Sequence, residues 1–204
     1  MALQIPILFP VRESFAREDF MPSDCNEEAL AWIDRWPDWP YPLLIIYGPA
    51  GAGKSHLAAL WQNRAEGQSV IDDAQQFFGD AQAEEDLFHQ FNLARENGTF
   101  ILMTLDKPVH QQNIILPDLA SRLKAAPQVE ITVPDDAVLQ AVLVKLFHDR
   151  QLRVEPEVIA YILPRMERSF VAAQDIVQKI DENSLSAKRS VTIPLVREIL
   201  SLEA

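Results

Sequence analysis

The feature that most narrows the possible folds is Gly48-Pro49-Ala50-Gly51-Ala52-Gly53-Lys54-Ser55, a GxxxxGK[ST] motif directly after the apolar run LLIIY at 43–47. A continuous apolar run of that length is the pattern of a strand buried on both faces, and such strands belong to parallel sheets covered by helices. The segment after the glycines, SHLAALWQNRAE at 55–66, reads as a helix. Strand, glycine turn and helix are the context this motif requires. The glycines allow successive backbone N–H groups to turn inward around a phosphate, and the helix aims its positive end at the same place. In that arrangement Lys54 reaches the β- and γ-phosphates of a nucleotide and the Ser55 hydroxyl holds Mg²⁺. The plain alternative is a glycine turn that joins a strand to a helix.

The rest of the chain extends the alternation. Residues 24–36 have helical spacing at Ala29, Leu30, Ile33 and Trp36, with Asp24 or Asn26 as cap, and WPDWPYP then excludes regular structure. SVI at 69–71 is a short strand stopped by Asp72 and Asp73. Residues 83–97 read as a helix, Phe100–Leu105 as a strongly apolar strand, 116–126 as a helix and 129–133 as a last strand. Strands alternating with helices predict a parallel sheet with crossover helices. Beyond Pro134 the pattern changes to four amphipathic helical segments, 135–150, 155–166, 169–183 and 192–202, with no strand between them. The expected organisation is an α/β P-loop core over 11–134, preceded by an apolar tail at 1–10 and followed by an all-helical lid over 135–204.

Charge bears on partners. The chain carries 18 basic and 30 acidic residues, net −12, with 9 basic against 19 acidic in residues 1–134. A protein that grips duplex DNA neutralises phosphates with a basic face, and none shows here, so direct sequence-specific DNA binding is not expected. Cys25 is the single cysteine, which rules out an intramolecular disulfide and fits a reducing cytoplasm. No run of 18 apolar residues and no export signal is visible, so the expectation is a cytoplasmic protein without a membrane partner. The four histidines lack metal spacing. Trp32, Trp36 and Trp39 are expected to pack the edge of the core.

Asp72 and Asp73 close the short strand where a P-loop protein needs carboxylates. Asp72 can hold Mg²⁺ together with Ser55, and Asp73 can orient an attacking water. The string IDDAQQFFGDAQAEEDLFHQFNLARENG at 71–98, with Phe88-His89, Phe91-Asn92 and Glu96-Asn97-Gly98, resembles the second nucleotide box of the DnaA family of AAA+ replication initiators. GPAGAGKSHL resembles the first box, including its His56-Leu57 ending, and LDKP at 105–108 stands where the family has its first sensor, at Asp106. PDLASRLKAA resembles the arginine-finger segment, with Arg122 as the finger, and MERSFVAA the second-sensor helix, with Arg168 as its arginine.

That resemblance implies adenine nucleotide, ADP or ATP with Mg²⁺, between core and lid. Its contacts would be Phe20, Gly48, Pro49, Gly51, Ala52, Gly53, Lys54, Ser55, His56, Asp106 and Arg168, with Asp73, Arg122 and Arg168 as catalytic groups. The match is nearest to a short regulatory branch of the family that ends after the lid without the initiator's DNA-binding domain. In that branch Gln4, Ile5, Ile7 and Phe9 resemble a motif that binds the DNA polymerase sliding clamp, Gln hydrogen-bonding while Ile7 and Phe9 fill apolar pockets. The implied activity is promotion, with the clamp, of hydrolysis of ATP bound to the DnaA initiator, with at most slow ATPase activity of its own. One departure is visible: between Ser55 and Asp72 there is room for one helix and one short strand only, so the sheet is expected to be one strand short, with four parallel strands. Arg122 also admits a plain alternative, a surface arginine paired with Asp118. Two other functions stay open on the P-loop alone, a free-standing AAA+ ATPase or loader that forms homo-oligomers and a small-molecule kinase.

Overall fold

The computed structural model describes residues 22–187 and 190–201. The chain runs α1 (Glu27–Arg35), β1 (Leu43–Tyr47), α2 (Lys54–Arg64), β2 (Ser69–Ile71), α3 (Ala81–Asn97), β3 (Ile101–Leu105), α4 (Pro117–Ala125), β4 (Gln128–Glu130), α5 (Asp136–Asp149), α6 (Pro156–Ile162), α7 (Phe170–Ala187) and α8 (Ile193–Ser201). The four strands form one sheet in the order β2-β3-β1-β4, and every pairing is parallel. The expected α/β class, with a four-stranded parallel sheet and a helical lid, is what the chain adopts.

The sheet explains the apolar runs. Along β1 successive side chains leave on opposite faces. Leu44 and Ile46 pack with Ala29, Ile33, Leu57 and Trp61 of α1 and α2, while Leu43 and Ile45 pack with Leu87, Phe91, Leu119 and Leu123 of α3 and α4. Both faces are covered, so LLIIY carries no alternation. The tryptophan cluster closes the first of these layers: Trp39 stacks on Trp61 at 5.1 Å, and Trp36 meets Trp61 edge-on at 6.2 Å. A separate core of Leu139, Leu143, Phe147, Ile162, Val177, Ile180 and Val196 holds α5–α8 together.

Three of the boundaries that differ from expectation have a plain local reason. The last strand ends at Glu130 rather than 133, because Ile131 gives its N–H to Tyr47 and Thr132 then turns to the carbonyl of Cys25. The helix expected at 83–97 begins at Ala81, since the Asp80 carboxylate accepts from Ala83 N at 2.9 Å and caps it. The helix expected at 155–166 stops at Ile162 and tightens into a 3₁₀ turn over Leu163–Arg165, where Pro164 has no N–H to continue an α-helical ladder.

The strand order places the chemistry. β1 is flanked by β3 on one side and β4 on the other, so connections leave its carboxyl end in opposite directions. A crevice at such a reversal is where open parallel sheets take ligands. The P-loop follows β1, Asp72 and Asp73 follow β2, and Asp106 follows β3, all at that same end of the sheet.

Candidate functional site

The P-loop glycines are required by space as much as by torsion. A Cβ on Gly48 would lie 2.1 Å from the carbonyl oxygen of Ile131, where β4 leaves the sheet. Gly51 has φ +74 and its missing Cβ would sit 2.5 Å from Ser169 Cβ. Gly53, at φ +97, caps α2, and a Cβ there would press on the Phe170 ring at 3.3 Å. Gly51 and Gly53 thus allow the lid to come down on the loop. The Phe170 N–H donates to the Gly51 carbonyl at 3.3 Å, and Ser169, almost fully buried, caps α7 by accepting from Ala172 N at 3.0 Å. The amino ends of α2 and of the 18-residue α7 therefore meet at one glycine turn.

Lys54 is the charge at the centre of this turn. Only 7% of it is exposed, and its ammonium donates to the carbonyl oxygens of Gly48 at 2.8 Å and Pro49 at 3.0 Å. No carboxylate among the described residues pairs with it. A buried ammonium held only by neutral carbonyls is costly unless an anion completes its shell. Ala52 is fully buried beneath the loop, Ser55 is exposed at the first turn of α2, and His56 is half-buried behind it.

The acidic pair is organised by a residue the sequence did not single out. Thr104, wholly buried on β3, donates its hydroxyl hydrogen to Asp72 Oδ1 and accepts from Asp73 N at 2.8 Å. One side chain of the neighbouring strand thus fixes both residues at the tip of β2. Asp73 sits at φ +49, a left-handed conformation that Asp tolerates better than most residues. Its Oδ1 accepts from Gln75 Nε2 at 3.2 Å, and the side-chain Oε1 of Gln75 accepts from Asp106 N at 3.2 Å. Asp106 Oδ1 accepts from Gln112 Nε2 at 2.8 Å. The only available signal for Thr104 was a polar residue inside the apolar run FILMTL.

Ser55 and Asp72 fit the magnesium expectation by donor chemistry, a free hydroxyl and a carboxylate with one oxygen not taken by Thr104. No cluster of three metal-ligating side chains exists among the described residues.

The two arginines stand differently. Arg168 Nη2 lies 3.0 Å and 3.2 Å from the two carboxylate oxygens of Asp136 in the first turn of α5, and both side chains are exposed. It immediately precedes the residues that touch the P-loop. Arg122 is half-buried on α4 and does not pair with Asp118. Its guanidinium lies 5.6 Å and 6.0 Å from the ring centres of Phe91 and Phe88 on α3. Phe20 and the tail residues Gln4, Ile5, Ile7 and Phe9 lie outside the described residues. No helix among the described residues is long and apolar enough to cross a membrane.

Comparison with known proteins agrees with this geometry. Residues 135–200 match the family described as Hda, lid domain. Domain III of the replication initiation protein DnaA from Thermotoga maritima superposes with a TM-score of 0.83 at 18% identity, covering 95% of this chain and 98% of that one. AMPPCP-bound DnaA from Aquifex aeolicus gives 0.74 at 19% identity, over 87% of this chain and 68% of its own. The RuvB Holliday junction branch migration motor of Thermotoga maritima gives 0.70 at 12% identity, over 93% and 72%.

Proposed function

We propose that this chain, an AAA+ core with the fold of DnaA domain III under an Hda-type lid, binds adenine nucleotide between core and lid and promotes hydrolysis of ATP held by a DnaA initiator. The observation that carries the nucleotide site is Lys54: a buried ammonium without a carboxylate, in a glycine turn on which two helix amino ends converge. AMPPCP in the Aquifex aeolicus relative supports the choice of adenine nucleotide. The family match of the lid supports the link to initiator control.

In this account the backbone N–H groups of residues 51–55 hold the phosphates, and Lys54 leaves its two loop carbonyls for the β- and γ-oxygens. Ser55 and Asp72 would hold Mg²⁺, which would neutralise phosphate charge. Asp73 is placed to orient a water, and Asp106 to sense the γ-phosphate at the tip of β3. Arg168 exchanges Asp136 for phosphate as the lid engages. The bound nucleotide mainly fixes the lid against the core, and turnover in this chain's own site is slow without an arginine from a partner. Arg122, seated on the Phe88 and Phe91 rings of α3, serves the neighbouring subunit. Residues 4–9 tether the protein to the sliding clamp, which concentrates it beside the initiator. The setting is the cytoplasm.

The test is single-turnover hydrolysis of initiator-bound ATP with clamp loaded on DNA. Wild-type protein is expected to accelerate it, and Arg122→Ala to abolish the acceleration. Deletion of residues 1–10 is expected to abolish capture by the clamp. Equal rates with and without the protein would contradict the regulatory reading and favour a free-standing ATPase, which nucleotide-dependent ring assembly would reveal.

A further inference from the structure

One face of α3 holds both ends of α4. Glu84, Phe88 and Phe91 are spaced at i, i+4 and i+7, so they line a single face of the helix. Glu84 is fully buried, and no cation among the described residues pairs with it. Its carboxylate is satisfied by backbone N–H groups alone: Oε1 accepts from Gly79 at 2.7 Å and Ile115 at 3.1 Å, and Oε2 from Ile115 at 3.0 Å and Leu116 at 2.6 Å. Leu116 is the residue that opens α4, so the carboxylate pins that helix at its amino end. One and two turns further along α3, Phe88 and Phe91 carry the Arg122 guanidinium, which has no carboxylate of its own among the described residues. Tyr41 closes the arrangement, stacking on Phe91 at 5.7 Å and donating its hydroxyl to the Arg122 carbonyl at 3.5 Å. Gly79, the third partner of Glu84, ends the turn that starts at Asp72 and Asp73.

We propose that Glu84 is the positioning residue for Arg122, setting the pose of α4 from the same α3 face whose Phe88 and Phe91 hold the guanidinium, and linking that pose to the acidic turn of the chain's own nucleotide site. The proposal rests on Arg122 acting on a partner's nucleotide. Hydrogen bonds from three backbone donors to one buried carboxylate are charge-assisted and geometrically demanding, so the anchor is stiff. A cation over aromatic faces stays ready to move onto a phosphate, because the rings hold it without neutralising its charge.

The test repeats the initiator-bound ATP assay with Glu84→Gln, which keeps the shape and removes the anion, beside Arg122→Ala. Glu84→Gln is expected to lower the maximal stimulated rate by about tenfold, as a small misplacement of a catalytic group does. The concentration for half-maximal stimulation and the nucleotide affinity of its own P-loop are expected to stay unchanged. An unchanged half-maximal concentration and unchanged nucleotide affinity beside a lowered maximal rate separate a misplaced Arg122 from a general loss of structure, which would disturb all three. Phe88→Leu is the second probe should the Gln variant fold poorly, with the same pattern expected. Wild-type rates in both variants, or nucleotide affinity falling together with the rate, overturn the proposal while leaving the regulatory reading intact. Full stimulation by Arg122→Ala instead overturns the assignment of Arg122 and the proposal with it.

Discussion

Thr104 shows how much of the site depends on one side chain. It supplies both a donor to Asp72 and an acceptor to Asp73 N from a fully buried position on β3. Thr104→Val keeps the volume and deletes both contacts, so about 1–3 kcal/mol of stability should be lost by urea titration. Gly51 is the second sensitive position. An alanine there meets Ser169 Cβ at 2.5 Å and must also adopt φ +74. Gly51→Ala is therefore expected to lift the lid from the loop. It should expose the Ser169–Phe170 contact to hydrogen exchange and destabilise the chain by about 1–3 kcal/mol, the usual cost of a residue held in a disfavoured backbone conformation. An unchanged exchange pattern would show that the lid does not rest on the glycine turn.

At the scale of elements, α7 carries both the lid's contact with the P-loop and a titratable group that works against folding. Burial raises the Asp181 carboxyl above its ordinary value, partly opposed by Arg150 and assisted by Glu182. The folded chain then holds that proton more tightly than the unfolded chain does. Stability is accordingly full below the ordinary carboxylate pKa and declines as the pH rises through the raised folded value. Asp181→Asn removes the decline, so its melting temperature should exceed wild type at pH 7 and match it near pH 3. A variant less stable than wild type at pH 7 would contradict the sign. The elements themselves were largely legible in the sequence. The apolar runs LLIIY and FILMTL, the glycine turn and the change of pattern after Pro134 all rest on local chemistry that no distant contact alters. Element ends were less legible, because Ile131 and Thr132 choose between a strand ladder and the carbonyl of Cys25 on tertiary grounds.

At the scale of the molecule, what the sequence displayed was the ligand-facing chemistry, and what it hid was the scaffolding behind it. Lys54, Ser55, Asp72, Asp73 and Asp106 stand at one end of the sheet because each follows a parallel strand, a rule readable from the order of elements. Thr104, Glu84 and the Ser169–Phe170 contact with the loop join residues 31 to about 120 positions apart, and no local pattern marks such pairs. Arg122 illustrates the limit: its type and place on α4 were readable, whereas its seat on Phe88 and Phe91 rather than beside Asp118 depends on how α3 and α4 cross. The central claim, that the glycine turn beneath α7 is an adenine-nucleotide site joining core to lid, is tested most directly by calorimetric titration of ADP with Mg²⁺ into the wild-type protein and into Lys54→Ala. Stoichiometric binding by wild type, weakened at least about a hundredfold in Lys54→Ala by the loss of a buried cation from the phosphate site, is the expected result. Equal affinity in the two proteins, or no heat in either, would contradict it.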